Sequence, residues 1–448
     1  MADSITAIPE GFGAEWKDVT NIHPLGLVAA IVLGILLLSL PRRYALLPMI
    51  IMACFVSAVQ KITVFSLDFN LMRVLVLFGV VRLLIRNETH GFRRAPMDSL
   101  LILWVISAVA IQTLRMGTFS VFVNRLGFAF DAVGMYFLFR CLIRDWRDFD
   151  ALVFGSILIS IPVAVVFLVE HTTGRNLFSV FGGVPAVTMV REGRLRCQGP
   201  FSHPILAGCF WASMIPLFGA FAWKGNRERV WATVGLICSL TVVVTCASGT
   251  PVISVIAAIL GAAMFVFRYQ MRLIRWGTVA VLVGLHIVMN APVWALIARA
   301  GAIVTGTAWH RYKLVNEAIN HVGQWWLMGT PSTAEWGYGM FDVTNQYVLQ
   351  GVEGGLLTLG LFVAIITVAF RNVGQLWRCW PTDRYRLVAA WALGVTLFLH
   401  CVNFLSITYF GQSQIIWYLL LAIIGSLALK PASAGVLPQS TERSPVRW

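Results

Sequence analysis

Of the chain's 448 residues, 58% are hydrophobic and 12% charged, and the formal net charge is +14 at pH 7. A soluble domain is about a quarter charged, so this composition, with a mean hydropathy of +0.79, excludes a separate soluble domain and describes a chain buried in a bilayer. The basic excess is no nucleic-acid footprint, since it does not cluster with aromatics on a soluble face.

Apolar runs near the roughly 20 residues needed to cross a hydrocarbon core recur along the whole chain. A spanning segment must satisfy its own backbone hydrogen bonds, so each run is expected as a helix. In chain order they cover 24–40, 44–64, 70–86, 97–115, 121–141, 148–169, 203–223, 230–248, 251–267, 273–291, 351–370, 386–406 and 409–428. The expected fold is all-α and polytopic, with thirteen spans, twelve or fourteen also fitting. Span 70–86 contains Arg73 and Arg82, and spans 230–248 and 251–267 join through Ser248-Gly249-Thr250-Pro251. A short tail over 1–23, one transmembrane domain over 24–430 and a tail over 431–448 complete the organisation. The N-terminus lacks the basic region, short apolar core and cleavage site of a removable signal, so 24–40 is read as a retained anchor.

Orientation follows from the basic residues. One set of alternate connections carries 21 Lys and Arg, the other 10. Cytoplasmic loops are enriched in Lys and Arg, which places the C-terminus inside and the N-terminus outside. Of eight cysteines only Cys197 falls clearly in an outer loop, so no disulfide framework is expected. No metal-ligand spacing, phosphate-binding glycine loop or internal repeat is visible, and no cofactor is expected.

Two outer connections are long, 170–202 and 292–350, and long loops in compact proteins are usually functional or disordered. The first places Arg191, Arg194 and Arg196 within six residues, against the charge bias of the other loops. They form either a solvated or headgroup-facing patch or an anion site, since guanidinium groups bind phosphate through fixed paired donors. Gly199-Pro200 and His203-Pro204 fit a turn delivering the chain into the next span.

In the second connection, residues 309–322 fit an amphipathic helix at about 100° per residue. His310, Lys313, Asn316, Glu317, Asn320 and His321 share a polar arc, while Arg311 lands in the middle of the apolar face. A charge there either snorkels to headgroups or is buried with a partner. His310, Glu317 and His321 are either solvated or part of a site. Further on, Gly337-Tyr338-Gly339 precedes Asp342 and Asn345, which serve as sugar-hydroxyl ligands or as turn and capping residues.

Taken in order, Arg196-x-x-Gly199-Pro200-Phe201-x-x-Pro204, Ser248-Gly249, Arg311, Gly337-x-Gly339, Thr344-Asn345-x-Tyr347 and Gly351-x-x-Gly354-Gly355-Leu356-Leu357 resemble the O-antigen ligase and polymerase superfamily. The resemblance covers roughly residues 150–370 through motifs, and elsewhere only through hydropathy. Two positions depart from the pattern: the family often has Ser-Arg at Ser248-Gly249, and ligases often have His where Thr344 stands. The second departure favours a polymerase or related transferase over a ligase acting on lipid A.

The resemblance implies glycosyl transfer from an undecaprenyl-diphosphate-linked oligosaccharide to a glycan acceptor on the outer face of a bacterial inner membrane. Other polysaccharide-assembly proteins, such as a chain-length regulator, would be partners. Positioned arginines suit such a reaction, because a diphosphate leaving group gains negative charge as the sugar–oxygen bond breaks. Arg196 and Arg311 would bind the diphosphate, assisted by Arg191, Arg194 and His203. His310, Glu317 or Asp342 would orient or deprotonate the acceptor hydroxyl, with Asn345 as a sugar ligand.

The competing class is a transporter or lipid-linked glycan flippase, which places ionisable groups near the bilayer midplane. Asp131, Arg73, Arg82, Arg125 and His400 lie within spans; Asp131 is expected to pair with one of those arginines, and His400 to be a hydrogen-bonded packing residue.

Overall fold

The computed structural model describes residues 20–64, 67–90, 92–297 and 308–429. Most of the tail over 1–23, the tail over 431–448 and Arg299 lie outside the described residues.

The elements in order are α1 (Pro24–Ser39), α2 (Leu47–Phe55), β1 (Lys61–Val64), β2 (Leu67–Asn70), α3 (Leu71–Ile85), α4 (Pro96–Met116), α5 (Phe119–Ala129), α6 (Met135–Leu142) and α7 (Trp146–Thr173). Then follow β3 (Val190–Arg191), β4 (Arg194–Leu195), α8 (Pro204–Phe221), α9 (Asn226–Thr245), α10 (Gly249–Ala263), α11 (Met271–Val288), α12 (Ala308–Asn320), α13 (Val322–Trp325), α14 (Gln346–Leu376), α15 (Arg384–Phe404) and α16 (Gln412–Ala428). The strands form only two short antiparallel hairpins, β1–β2 and β3–β4.

The chain is an all-α membrane protein. Among the described residues nine helices are long and apolar enough to cross a membrane, against thirteen expected spans. Helices α1 and α16 are shorter apolar helices, and α3 has 15 residues. The span expected over 44–64 is corrected: its helix α2 has nine residues, roughly 13 Å at 1.5 Å per residue. The apolar run continues past Phe55, but polar residues inside it find partners on the connection that follows α7. Ser57 Oγ donates to Gly183 O (3.0 Å) and Gln60 Nε2 to Phe181 O (2.7 Å), while Lys61 bridges to Asn21 beside the start of α1. The chain finishes this stretch extended, with polar groups bonded to protein.

Several charged side chains buried within the bundle are paired, which offsets the cost of burial. Arg73 holds Asp131 through Nε (2.8 Å) and Nη2 (2.7 Å), the pairing expected for Asp131, which sits in the π-helical turn Phe130–Gly134 between α5 and α6. Arg140 holds Asp98 (3.1 Å), and Arg82 holds Glu88 (2.8 Å) while also donating to Leu37 O and Leu40 O at the end of α1. His400 is fully buried, with Nδ1 2.8 Å from the Tyr409 hydroxyl, as expected of a packing residue.

One face of the bundle collects both long connections, now bounded by helix ends at 174–203 and 289–345. Cys197 N donates to Thr245 O (3.1 Å), Gln412 Nε2 to Pro200 O (2.8 Å) and Asn345 Nδ2 to Leu405 O (3.3 Å), so the ends of α9, α14, α15 and α16 meet there. Helix α14 is broken where it leaves this face. Gly354 (φ −142°, ψ 19°) and Gly355 (φ 66°, ψ −172°) depart from helical geometry. A Cβ on Gly355 would lie 2.3 Å from Leu327 O, so only glycine lets the second connection approach so closely. That connection supplies the missing bonds: Thr330 N donates to Val352 O (2.8 Å) and Leu356 N to Trp326 O (2.8 Å), while Arg115 Nη1 also reaches Val352 O (2.9 Å).

From the basic asymmetry of the sequence this face is expected to be the outer one. Single cysteines placed at the exposed Glu192 and Ser332 are expected to react with an impermeant maleimide from outside the cell. The exposed native Cys379, just beyond the far end of α14, is expected to react only after permeabilisation. Labelling in the reverse order would invert the protein and remove the functional reading below.

Candidate functional site

Helix α10 opens at Ser248, whose backbone has the extended geometry of an N-cap (φ −133°, ψ 135°). A serine here ordinarily accepts from an amide of the first turn. Ser248 does not: its Oγ donates to Cys246 O (3.0 Å) and accepts from Arg196 Nη2 (2.7 Å). The first-turn amides of α10 therefore have no side-chain cap, and an uncapped helix N-terminus favours anions through its N–H groups and its dipole.

Arg196 is carried to this turn by a loop pinned at several points. Glu170, fully buried at the end of α7, accepts from Gln198 N (3.0 Å), Gly199 N (3.1 Å) and Thr188 Oγ1 (3.1 Å). Asn176 Nδ2 donates to Gly199 O (2.7 Å). Gly199 has φ +56°, and a Cβ on it would fall 2.4 Å from the Phe167 ring, so both conformation and space require glycine. Arg196 is 6% exposed, and among the described residues it makes no salt bridge and its Nε has no partner. Burial, then the charge of Arg191, lowers its pKa from the usual arginine range.

Arg311 arrives from the other connection. Along α12 the buried residues include Arg311, Leu314 and Ala318, the face anticipated from the helical period. At 6% exposure Arg311 does not snorkel; its Nη2 donates to Thr250 Oγ1 (2.8 Å), two residues beyond Ser248. Burial lowers its pKa as well. Two buried guanidinium groups from two separate connections thus flank one uncapped helix turn.

The other expected site residues fall into place around this pair with different roles. Arg191 and Arg194 face each other across the β3–β4 hairpin, whose turn residues Glu192 and Gly193 both have positive φ; Arg191 lies 3.5 Å from Glu192. Both arginines are exposed, and of the two it is Arg191 whose charge is felt at Arg196 and His203. His203 caps α8, its Nδ1 accepting from Ile205 N (3.1 Å). Burial, reinforced by Arg196 and Arg191, pushes its pKa down to about 4, so it is a neutral cap at physiological pH and not a cationic ligand.

His310, adjacent to Arg311, lies over the Gly337–Gly339 turn, 3.5 Å from where a Cβ on Gly339 would sit. Glu317 is engaged elsewhere, 3.7 Å from His321 Nδ1, and His321 stacks on Trp336. Asp342 is exposed in its turn. Asn345 is corrected from sugar ligand to helix cap: it is 2% exposed, and its Oδ1 accepts from Tyr347 N (3.0 Å) and Val348 N (3.1 Å) at the start of α14. Thr250, Glu170 and Gln412 were not foreseen as site-building residues. Only Thr250 carried a signal, as a hydroxyl beside Pro251 at a helix start.

Such a turn holds an anion by charge-assisted hydrogen bonds and stabilises charge developing on it. No protein-family model matches the chain, and no curated protein matches it significantly, so this geometry carries the functional reading.

Proposed function

We propose that the chain is a membrane glycosyltransferase that lengthens or transfers surface polysaccharide from an undecaprenyl-diphosphate-linked donor on the outer face of a bacterial inner membrane. The observation that carries this reading is the convergence of buried Arg196 and Arg311 on the uncapped start of α10. In the reaction the bond between the anomeric carbon and the diphosphate oxygen breaks, and the acceptor hydroxyl oxygen bonds to that carbon. The hydroxyl proton passes to a base, and the diphosphate leaves with the charge that the two arginines and the helix N-terminus stabilise. Among the expected bases His310 is the one adjacent to Arg311 along α12. The flippase reading is weakened by the pairing of Arg73 with Asp131 and of Arg82 with Glu88, which leaves those charges locked in structure.

Purified protein supplied with a lipid-diphosphate oligosaccharide is expected to lengthen or transfer the glycan without nucleotide sugar or ion gradient, because the diphosphate bond already supplies the leaving group. An unchanged glycan, with the lipid moving between leaflets, would replace this reading by transport.

A further inference from the structure

We infer that the gap between α9 and α10, floored by α8, holds the polyisoprenyl tail of a lipid diphosphate whose head lies at the Ser248–Thr250 turn. The inference rests on the anion site proposed above and adds where the apolar part of the ligand goes. Helix α8 is the most enclosed of the membrane-crossing helices, and beyond its first turn every residue is buried except Ile215, Pro216 and Gly219. Ile215 and Gly219 lie on the same strip of α8 as Gly208, since steps of seven and four residues return to one helix face, and Pro216 flanks it.

At Gly208 that strip is roofed by both neighbours: a Cβ there would sit 2.4 Å from the Pro251 ring of α10 and 3.5 Å from Cys246, which follows α9. At Gly219 a Cβ would meet nothing within 4 Å. The two helices part between these levels. Gly235 of α9 packs against Phe218 of α8 and Ile157 of α7, whereas Gly261 of α10 packs against Val395 of α15. A groove between them would narrow toward the first turn of α10, where Gly208 is covered, and widen toward Gly219. From Gly208 to Gly219 its floor runs roughly 16 Å at 1.5 Å per residue.

The bounding helices carry exposed apolar rows, Ile237, Leu240 and Val244 on α9 and Val252, Ile256 and Ile259 on α10. An anion site at the head of an apolar groove selects an amphiphile with a long apolar tail. Charge complementarity at Arg196 and Arg311 calls for an anionic head, and the function proposed above makes it a diphosphate.

The test compares inorganic diphosphate with polyprenyl diphosphate for binding to the full-length protein in nanodiscs. Wild type is expected to bind the prenylated form more tightly. Gly219→Leu, which places a side chain in the open space, is expected to cut that advantage about tenfold, because it displaces buried methylene groups of the tail, while leaving inorganic diphosphate binding unchanged. An undiminished advantage in Gly219→Leu would overturn the groove and leave the anion site standing. Failure of wild type to bind inorganic diphosphate at all would overturn the anion site, and the groove's head with it. A wild-type measurement needs no variant: a diazirine in the prenyl tail should label the Ile237–Val244 and Val252–Ile259 segments and be competed by unlabelled polyprenyl diphosphate. Equal labelling of those segments by a phospholipid acyl diazirine, uncompeted by the diphosphate, would assign the groove to bulk lipid and overturn the proposal.

Discussion

Arg311→Lys is expected to leave the fold intact and lower glycan transfer well below wild type, and Arg311→Ala to lower it further, on the order of a hundredfold or more. The guanidinium sits at 6% exposure with Nη2 on Thr250 Oγ1, so its geometry is fixed by the protein and not by solvent. Lysine keeps a positive charge but offers a compact ammonium in place of the planar fork, and burial lowers its pKa more readily than that of arginine. Arg196→Lys should follow the same course, since Arg196 bonds Ser248 at the same turn. The check is turnover on a lipid-diphosphate substrate at matched expression, with thermal stability measured alongside. Near-normal transfer by Arg311→Lys would remove the arginine from the mechanism. A normal Arg196→Lys beside a dead Arg311→Lys would assign the two arginines different tasks.

The second large effect is expected at Gly199. Alanine there must adopt φ +56° and bring its Cβ to 2.4 Å from Phe167 and 3.3 Å from Phe178. The left-handed backbone and the overpacking together cost about 2–5 kcal/mol, seen as a lowered melting temperature. Because Gly199 N and O are held by Glu170 and Asn176, relief of the clash would shift the loop that presents Arg196, and activity should fall even at temperatures where the variant is folded. Phe167→Leu combined with Gly199→Ala should recover part of the stability, since it removes the ring but not the backbone strain. A Gly199→Ala protein as stable and active as wild type would show that the turn does not position Arg196.

Periodicity and charge made much of this arrangement legible in advance. The helical period put Arg311 on the apolar face of α12, which is buried, and the arginines lying within spans made one of them the expected partner for Asp131. Periodicity failed at 44–64, where the apolar run outlasts α2 because Ser57 and Gln60 find partners about 120 residues away on a loop, a pairing no local pattern encodes. Asn345 had two readings in the sequence, sugar ligand or cap. An Asn just before a helical run is a capping signal, and its Oδ1 caps α14 while its Nδ2 donates to Leu405 O. Glu170 was unreadable because its partners are the backbone amides of residues 198 and 199, which look alike in every sequence.

The broken helix α14 constrains how a large substrate reaches the arginines. Where Gly354 and Gly355 interrupt the helix, the backbone of the second connection stands in for the missing helical partners through Thr330 N and Trp326 O. Swinging that connection away like a lid would leave Thr330 N, Leu356 N and Trp326 O without these partners, at a cost for each group that stays buried, while Val352 O would keep Arg115. The connection and the break are therefore expected to move as one cooperative piece. With the connection seated, the proposed lipid-linked substrate is expected to reach the arginines sideways, in the plane of the bilayer in which a carrier lipid already travels.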